Sequence, residues 1–125
     1  MNFLFSKLFP PKLLPEVVRC YLQRMPGTIE VAWKREDGLI VGRVKFGPNE
    51  NDYFWTQAKM AKEFIYMVND ALFISLDMKS EYIPFMHRAI SFLPNAEQLK
   101  SLNDGSIKEG SFDVVAKQGQ QALTA

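Results

Sequence analysis

The sequence predicts an α+β domain, with a three- or four-stranded antiparallel sheet, one main helix packed across it, and an amphipathic helix ahead of it. Two runs that alternate apolar and polar residues, 28–34 and 39–46, flank the turn-forming Arg35-Glu36-Asp37-Gly38. The aromatic run Tyr53-Phe54-Trp55 leads straight into residues 56–72, where Ala61, Phe64, Ile65, Val68, Ala71 and Leu72 keep the i, i+3, i+4, i+7 rhythm of a helix with one buried face. A composition of 47% hydrophobic and 23% charged residues over 125 positions fits a single folded domain with one modest core.

Taken in order, residues 1–26 form an amphipathic N-terminal extension. Pro10, Pro11 and Pro15 punctuate it, and Lys7, Lys12, Arg19 and Arg24 outweigh Glu16. From Pro15 onward Val17, Val18, Tyr21 and Leu22 share one helical face, with Leu14 just ahead, and proline is tolerated in a first turn because its missing N–H has no partner there. Pro26-Gly27 stops the helix. Such a face packs on the protein's own sheet or on a second copy; attachment to a membrane surface is its other use. Cys20, expected as a small packed side chain, is the only cysteine, which excludes an intrachain disulfide or a cysteine-based zinc site.

Residues 27–94 carry the main α+β unit. In the first strand Ile29, Val31 and Trp33 point one way and Glu30, Ala32 and Lys34 the other. In the second, Ile40, Val44 and Phe46 share a face with Gly42, whose missing side chain leaves room for a helix to approach closely. Residues 47–52 are a loop by composition, and residues 53–55 a short third strand from which at least two of the three aromatics should enter the core. The helix then runs from about residue 58 to residue 76. Tyr82-Ile83-Pro84 reads as extended, since the residue before proline avoids the helical region. Residues 85–92 suit either a fourth strand or a short helix. Residues 95–125 are a short helix capped by Asn95 and a loosely ordered tail, polar apart from Ile107 and Phe112-Asp113-Val114-Val115.

Catalytic signals are thin. His87 is the only histidine, so a site needing two imidazoles from one chain is excluded, and beside Arg88 it reads as half of a structural pair. Glu63, Asp70 and Asp77 are spaced by seven, roughly 10 Å along a helix, which suits solvated carboxylates better than a shared-proton dyad. No glycine-rich phosphate loop occurs. No cofactor or metal is called for. A formal charge of +1 gives no global drive toward nucleic acid, and no apolar run reaches the roughly 20 residues that span a bilayer. A cytoplasmic protein without a signal peptide is the expectation.

Strand-turn-strand with Glu36-Asp37-Gly38, then Thr56-Gln57-Ala58-Lys59, then a helix with Glu63 that closes on Asn69-Asp70-Ala71-Leu72, resembles the HicB-like antitoxin domain over about residues 29–72. Ala58 stands where that family has glycine, Met60 where it has a capping threonine, and Phe46-Gly47-Pro48 where it has Leu-Pro-Gly. With the threonine gone, Thr56 or Gln57 could start the helix earlier. The resemblance implies a protein that binds and blocks a small basic RNA-cleaving toxin, or an orphan relative that binds another protein or dimerises.

A non-enzymatic protein-binding module, likewise expected to self-associate as a homo-oligomer, is therefore the expected function. Glu36, Asp37, Glu50, Asp52 and Glu63 are the candidate acidic contacts, with Tyr53 or Trp55 as aromatic anchors. The alternative is a nucleic-acid-binding module using Lys34, Arg35, Arg43 and Lys45 around the hairpin, beside an exposed aromatic. From residue 80 onward acids and bases balance to within one unit, so that region brings no cationic surface of its own.

Overall fold

The computed structural model describes residues 13–118. Helix α1 (Pro15–Arg24) precedes the strands β1 (Thr28–Glu36), β2 (Leu39–Lys45) and β3 (Tyr53–Ala58). Helix α2 (Ala61–Ser75) follows, then a 3-10 turn (Ser80–Tyr82), α3 (Ile83–Ala89), β4 (Ile90–Phe92), α4 (Ala96–Asn103) and β5 (Glu109–Gln118). The class is α+β, as expected, but the antiparallel sheet has five strands, in the order β3-β2-β1-β5-β4.

The hairpin forms as the alternation requires. Asp37 and Gly38 both take positive φ, 51° and 78°, the tight turn that matches strand twist. Ile29, Val31 and Trp33 are buried together with Ile40 and Val44, while Glu30, Ala32, Lys34 and Arg43 face outward. Gly42 does admit a helix: a Cβ there would lie 2.8 Å from Phe64 Cε1 of α2 and closer still to Cζ. Phe64, Val68 and Leu72 thus seat α2 on the inner face of the sheet.

Several expectations are corrected. Thr56 and Gln57 do not start the helix; they stay in β3, opposite Gly42 and Val41, and α2 begins at Ala61 after an extended Met60. No side chain caps that start; Glu63 in the first turn instead accepts a hydrogen bond from Lys59 N–H at 3.1 Å, just ahead of the helix, and puts a negative charge at its amino end. Residues 82–84 are helical, with Pro84 in the first turn of α3, where its missing N–H costs no bond within that helix. Residues 85–92 fit neither period because they hold both structures, a helix to Ala89 and a strand from Ile90.

The tail expected to be loose contains β5, which lies inside the sheet, pairing with β1 from Val115 to Glu109 and with β4 from Ala116 to Gln118. Its Val114 is buried and Phe112 and Ala116 pack on the core, so three apolar residues at alternate positions sufficed to place it. Residues 119–125 of that tail lie outside the described residues. The Asn95 cap is present as a full capping box: Asn95 Oδ1 accepts from Gln98 N–H at 2.9 Å and Gln98 Oε1 from Asn95 N–H at 2.8 Å.

A second apolar cluster joins α1 to α2 and α3 through Tyr21, Phe73, Met78, Tyr82, Met86 and Ile90. Val17, Val18 and Leu22 pack against it, so the apolar face of α1 is used within the chain. The two tyrosines latch the segments reciprocally. Leu14 N–H donates to Tyr82 Oη at 3.0 Å and Lys79 N–H to Tyr21 Oη at 3.1 Å, with the rings edge to face. Cys20 is exposed rather than packed. The part of the N-terminal extension before residue 13 lies outside the described residues. No helix among the described residues is long and apolar enough to cross a membrane.

Candidate functional site

All the described helices that pack on the sheet do so on its inner side, which leaves the outer face open among the described residues. Strand register arranges that face in three cross-strand rows. Tyr53, Lys45, Glu30 and Asp113 make one; Trp55, Arg43, Ala32 and Ser111 the next; Gln57, Val41, Lys34 and Glu109 the third. Trp55 is 59% exposed and Tyr53 39%, both large apolar groups held on a regular strand. The expectation that at least two of residues 53–55 are buried is corrected: Tyr53 and Trp55 share the outward side of β3, and only Phe54 turns inward, against Phe46.

Arg43 lies over the Tyr53 ring with its guanidinium carbon 4.5 Å from the centroid, so the cation and both aromatics form one rigid ridge along β2 and β3. Beside the ridge the surface drops, because Ala32 and Ser111 are small. The resulting hollow, about 450 Å³, is walled by Lys34, Val41, Arg43, Trp55 and Glu109. The charges are segregated. Arg43 and Lys45 stand on the β2 side, while Glu30, Asp113 and Glu109 stand on the β1–β5 side. Two cations depart from this: Lys34 stands on β1, where it pairs with Glu36 at 3.2 Å, and Lys117 lies at the far end of β5, beyond the three rows.

The residues singled out from sequence divide accordingly. Tyr53 and Trp55 come together with Lys34, Arg43 and Lys45 on the outer face. Arg35 does not join them. Its guanidinium donates to the carbonyls of Leu102 (2.6 Å), Ile107 (2.8 Å) and Asp104 (2.9 Å), closing the carboxyl end of α4 whose last carbonyls have no partner within the helix. Glu36 and Asp37 sit at the β1–β2 turn, whereas Glu50 and Asp52 lie in the β2–β3 loop at the other end of β2. Asp52 is engaged there, accepting from Asn49 N–H at 3.1 Å. With Glu63 occupied at the start of α2, these five acids make no single surface. Glu30, Ala32, Glu109, Ser111 and Asp113 escaped the sequence reading; the signal for the last three was the alternation of Phe112, Val114 and Ala116.

A second concavity, about 560 Å³, lies between α2 and α4, lined mainly by Ile65, Tyr66, Leu93 and Leu99 with Lys62 and His87. His87 does not pair with Arg88. Its Nε2 is 3.0 Å from Asp70 Oδ1, and its ring stacks on Tyr66 with centroids 4.4 Å apart and planes 4° from parallel. Phe73 meets the same ring edge-on, so the imidazole is clamped by α2 on two sides. Asp70, expected as a solvated carboxylate, is partly shielded in this pair. Elsewhere Asp104 is held below the ordinary carboxylate range, chiefly by hydrogen bonds from Ser106 Oγ–H and N–H. Among the described residues no three His, Cys, Asp or Glu side chains gather as a metal site would require.

No protein-family model matches this sequence, and comparison with curated proteins and with solved structures returns no significant match.

Proposed function

We propose that this chain is a non-enzymatic protein-binding module whose docking surface is the outer face of the sheet. The observation that carries the reading is the ridge of Tyr53, Trp55 and Arg43 standing exposed on a regular strand pair beside a hollow floored by Ala32 and Ser111. Tryptophan, tyrosine and arginine are the residue types that concentrate binding energy at protein interfaces. They bring large area and fixed geometry at little entropic cost, and each well-buried anchor contributes about 2 kcal/mol or more. A strand pair holds such groups more rigidly than a loop does, so less ordering is needed on association.

The toxin-masking version of this function, with Glu36, Asp37, Glu50, Asp52 and Glu63 covering a basic ribonuclease, has less support. Those acids are split between the two ends of β2, and two of them are committed to hydrogen bonds within the chain. Nucleic-acid binding draws on Lys34, Arg43 and Lys45 beside Trp55, but Glu30, Glu36, Glu109 and Asp113 on the same face offset them. Binding a phosphate backbone needs a cationic excess.

Tagged full-length protein should be used as bait in extract from its own cells, with nuclease-treated and untreated halves compared by mass spectrometry. The expected result is protein retained equally in both halves and lost by at least about thirtyfold with Trp55→Ala, the equivalent of one anchor of about 2 kcal/mol. Retention that vanishes with nuclease would transfer the face to nucleic acid. Retention untouched by Trp55→Ala would remove the face from the function.

A further inference from the structure

We propose that the occupant of the outer face is a second copy of this chain, the two sheets stacked about a two-fold axis that runs parallel to the strands, between β1 and β2. The proposal rests on the reading of that face as a protein-docking surface and names its partner. A two-fold interface uses the same patch on both copies, so the patch has to complement itself. The segregation of charge supplies that complementarity, and it selects the axis. Rotation about a line parallel to the strands exchanges left and right while keeping each row at its own height. The cationic β2 side of one copy then covers the acidic β1–β5 side of the other. An in-plane axis perpendicular to the strands would lay Arg43 and Lys45 over the same strand of the second copy, which like charges oppose.

With the axis between β1 and β2, β2 faces β1 and β3 faces β5, and the rows fix which residues meet. Lys45 comes opposite Glu30 of the second copy, and Tyr53 opposite its Asp113, a phenol facing a carboxylate. In the middle row the two largest side chains, Trp55 and Arg43, meet the two smallest, Ser111 and Ala32. Each ridge therefore enters the other copy's hollow, the large-into-small fit that lets sheets pack at about 10 Å. In the third row Gln57 faces Glu109 and Val41 faces the aliphatic stem of Lys34. Every facing pair occurs twice by symmetry, and no like charges are opposed in any row.

The test uses the purified full-length chain, measured by sedimentation over a range of concentrations. Wild-type protein is expected to dimerise. Lys45→Glu and Glu30→Lys, each alone, should weaken the dimer by at least about tenfold, because each faces like charge against like charge twice. The decisive sample is an equimolar mixture of the two variants. Each single variant keeps its own clash between neighbouring strands of one chain, yet across the two-fold the mixture pairs opposite charges at both sites. Recovery of dimer in the mixture supports trans contact between positions 30 and 45.

A wild-type chain that stays monomeric at every concentration overturns the proposal. So does a dimer indifferent to either variant, as pairing through the free edge of β3 would give, and so does a mixture that fails to recover. None of these touches the broader reading, which stands or falls on whether Trp55→Ala releases bound protein from the bait.

Discussion

Asn69 is the one buried polar side chain among the described residues, and its bonds show why it is there. Its Oδ1 accepts from Phe92 N–H at 2.7 Å, and its amide donates to the carbonyls of Phe92 (3.1 Å) and Ile65 (2.9 Å). A helix side chain thereby serves β4 as a strand neighbour would, satisfying both backbone groups of one residue. Replacing it by leucine leaves a buried N–H and C=O without partners, at about 1–3 kcal/mol. Urea unfolding of Asn69→Leu should show that loss, and a variant as stable as wild type would mean that water or a shifted strand replaces the amide. At this scale the sequence was only partly legible. Alternation placed Trp33 inside and Lys34 outside, because those orientations follow from local geometry. Asn69 is buried beside Val68 and Leu72, but it was not assigned to the core from sequence, and its partner, 23 positions away, could not be read. Arg35 was read as a surface cation for the same reason, since its acceptors are carbonyls brought in by α4 and the loop after it.

Between β2 and α2 the contact is set by an absence. Gly42 lets the Phe64 ring descend onto the strand, and a methyl group there would overlap it. Gly42→Ala is expected to destabilise by about 1–3 kcal/mol, the usual penalty for overpacking. Combining it with Phe64→Leu should restore part of the loss relative to the additive sum. Denaturant midpoints of the two single variants and the double variant measure this, and strict additivity would mean that the two residues do not touch. The gap at Gly42 was legible because it interrupts an otherwise filled apolar face. The stretch from Tyr82 to Phe92 was not: seven helical residues and three strand residues are each too short to establish a period. β5 failed for another reason. Glu109, Ser111, Asp113 and Lys117 fill most of its outward side, so its composition suggests a tail, while its Phe112, Val114 and Ala116 become a strand face only once β1 offers an edge.

The whole molecule depends on that late strand. β1 is bonded along both sides, to β2 and β5, and the core cluster draws on both hairpin strands as well as on Phe112, Val114 and Ala116. A chain stopped after Ile107 loses those three apolar groups and leaves β1 as a naked edge over Ile29, Val31 and Trp33. It should show no cooperative thermal transition by circular dichroism, whereas the full chain unfolds in one step. A sharp transition in the shortened chain would mean that β3-β2-β1 with α2 is a self-sufficient unit.

The same topology bears on how the protein is made. Chains emerge from the ribosome amino end first, at roughly 5–20 residues per second, so β1 is outside for on the order of several seconds before Glu109–Gln118 exists to cover it. During that interval the nascent chain presents an open strand edge and part of an unfinished core, the surfaces on which chaperones act and aggregation starts. Completion of the fold therefore waits for β5 to be synthesised and to emerge, and yield in the cell will respond to elongation speed and chaperone supply.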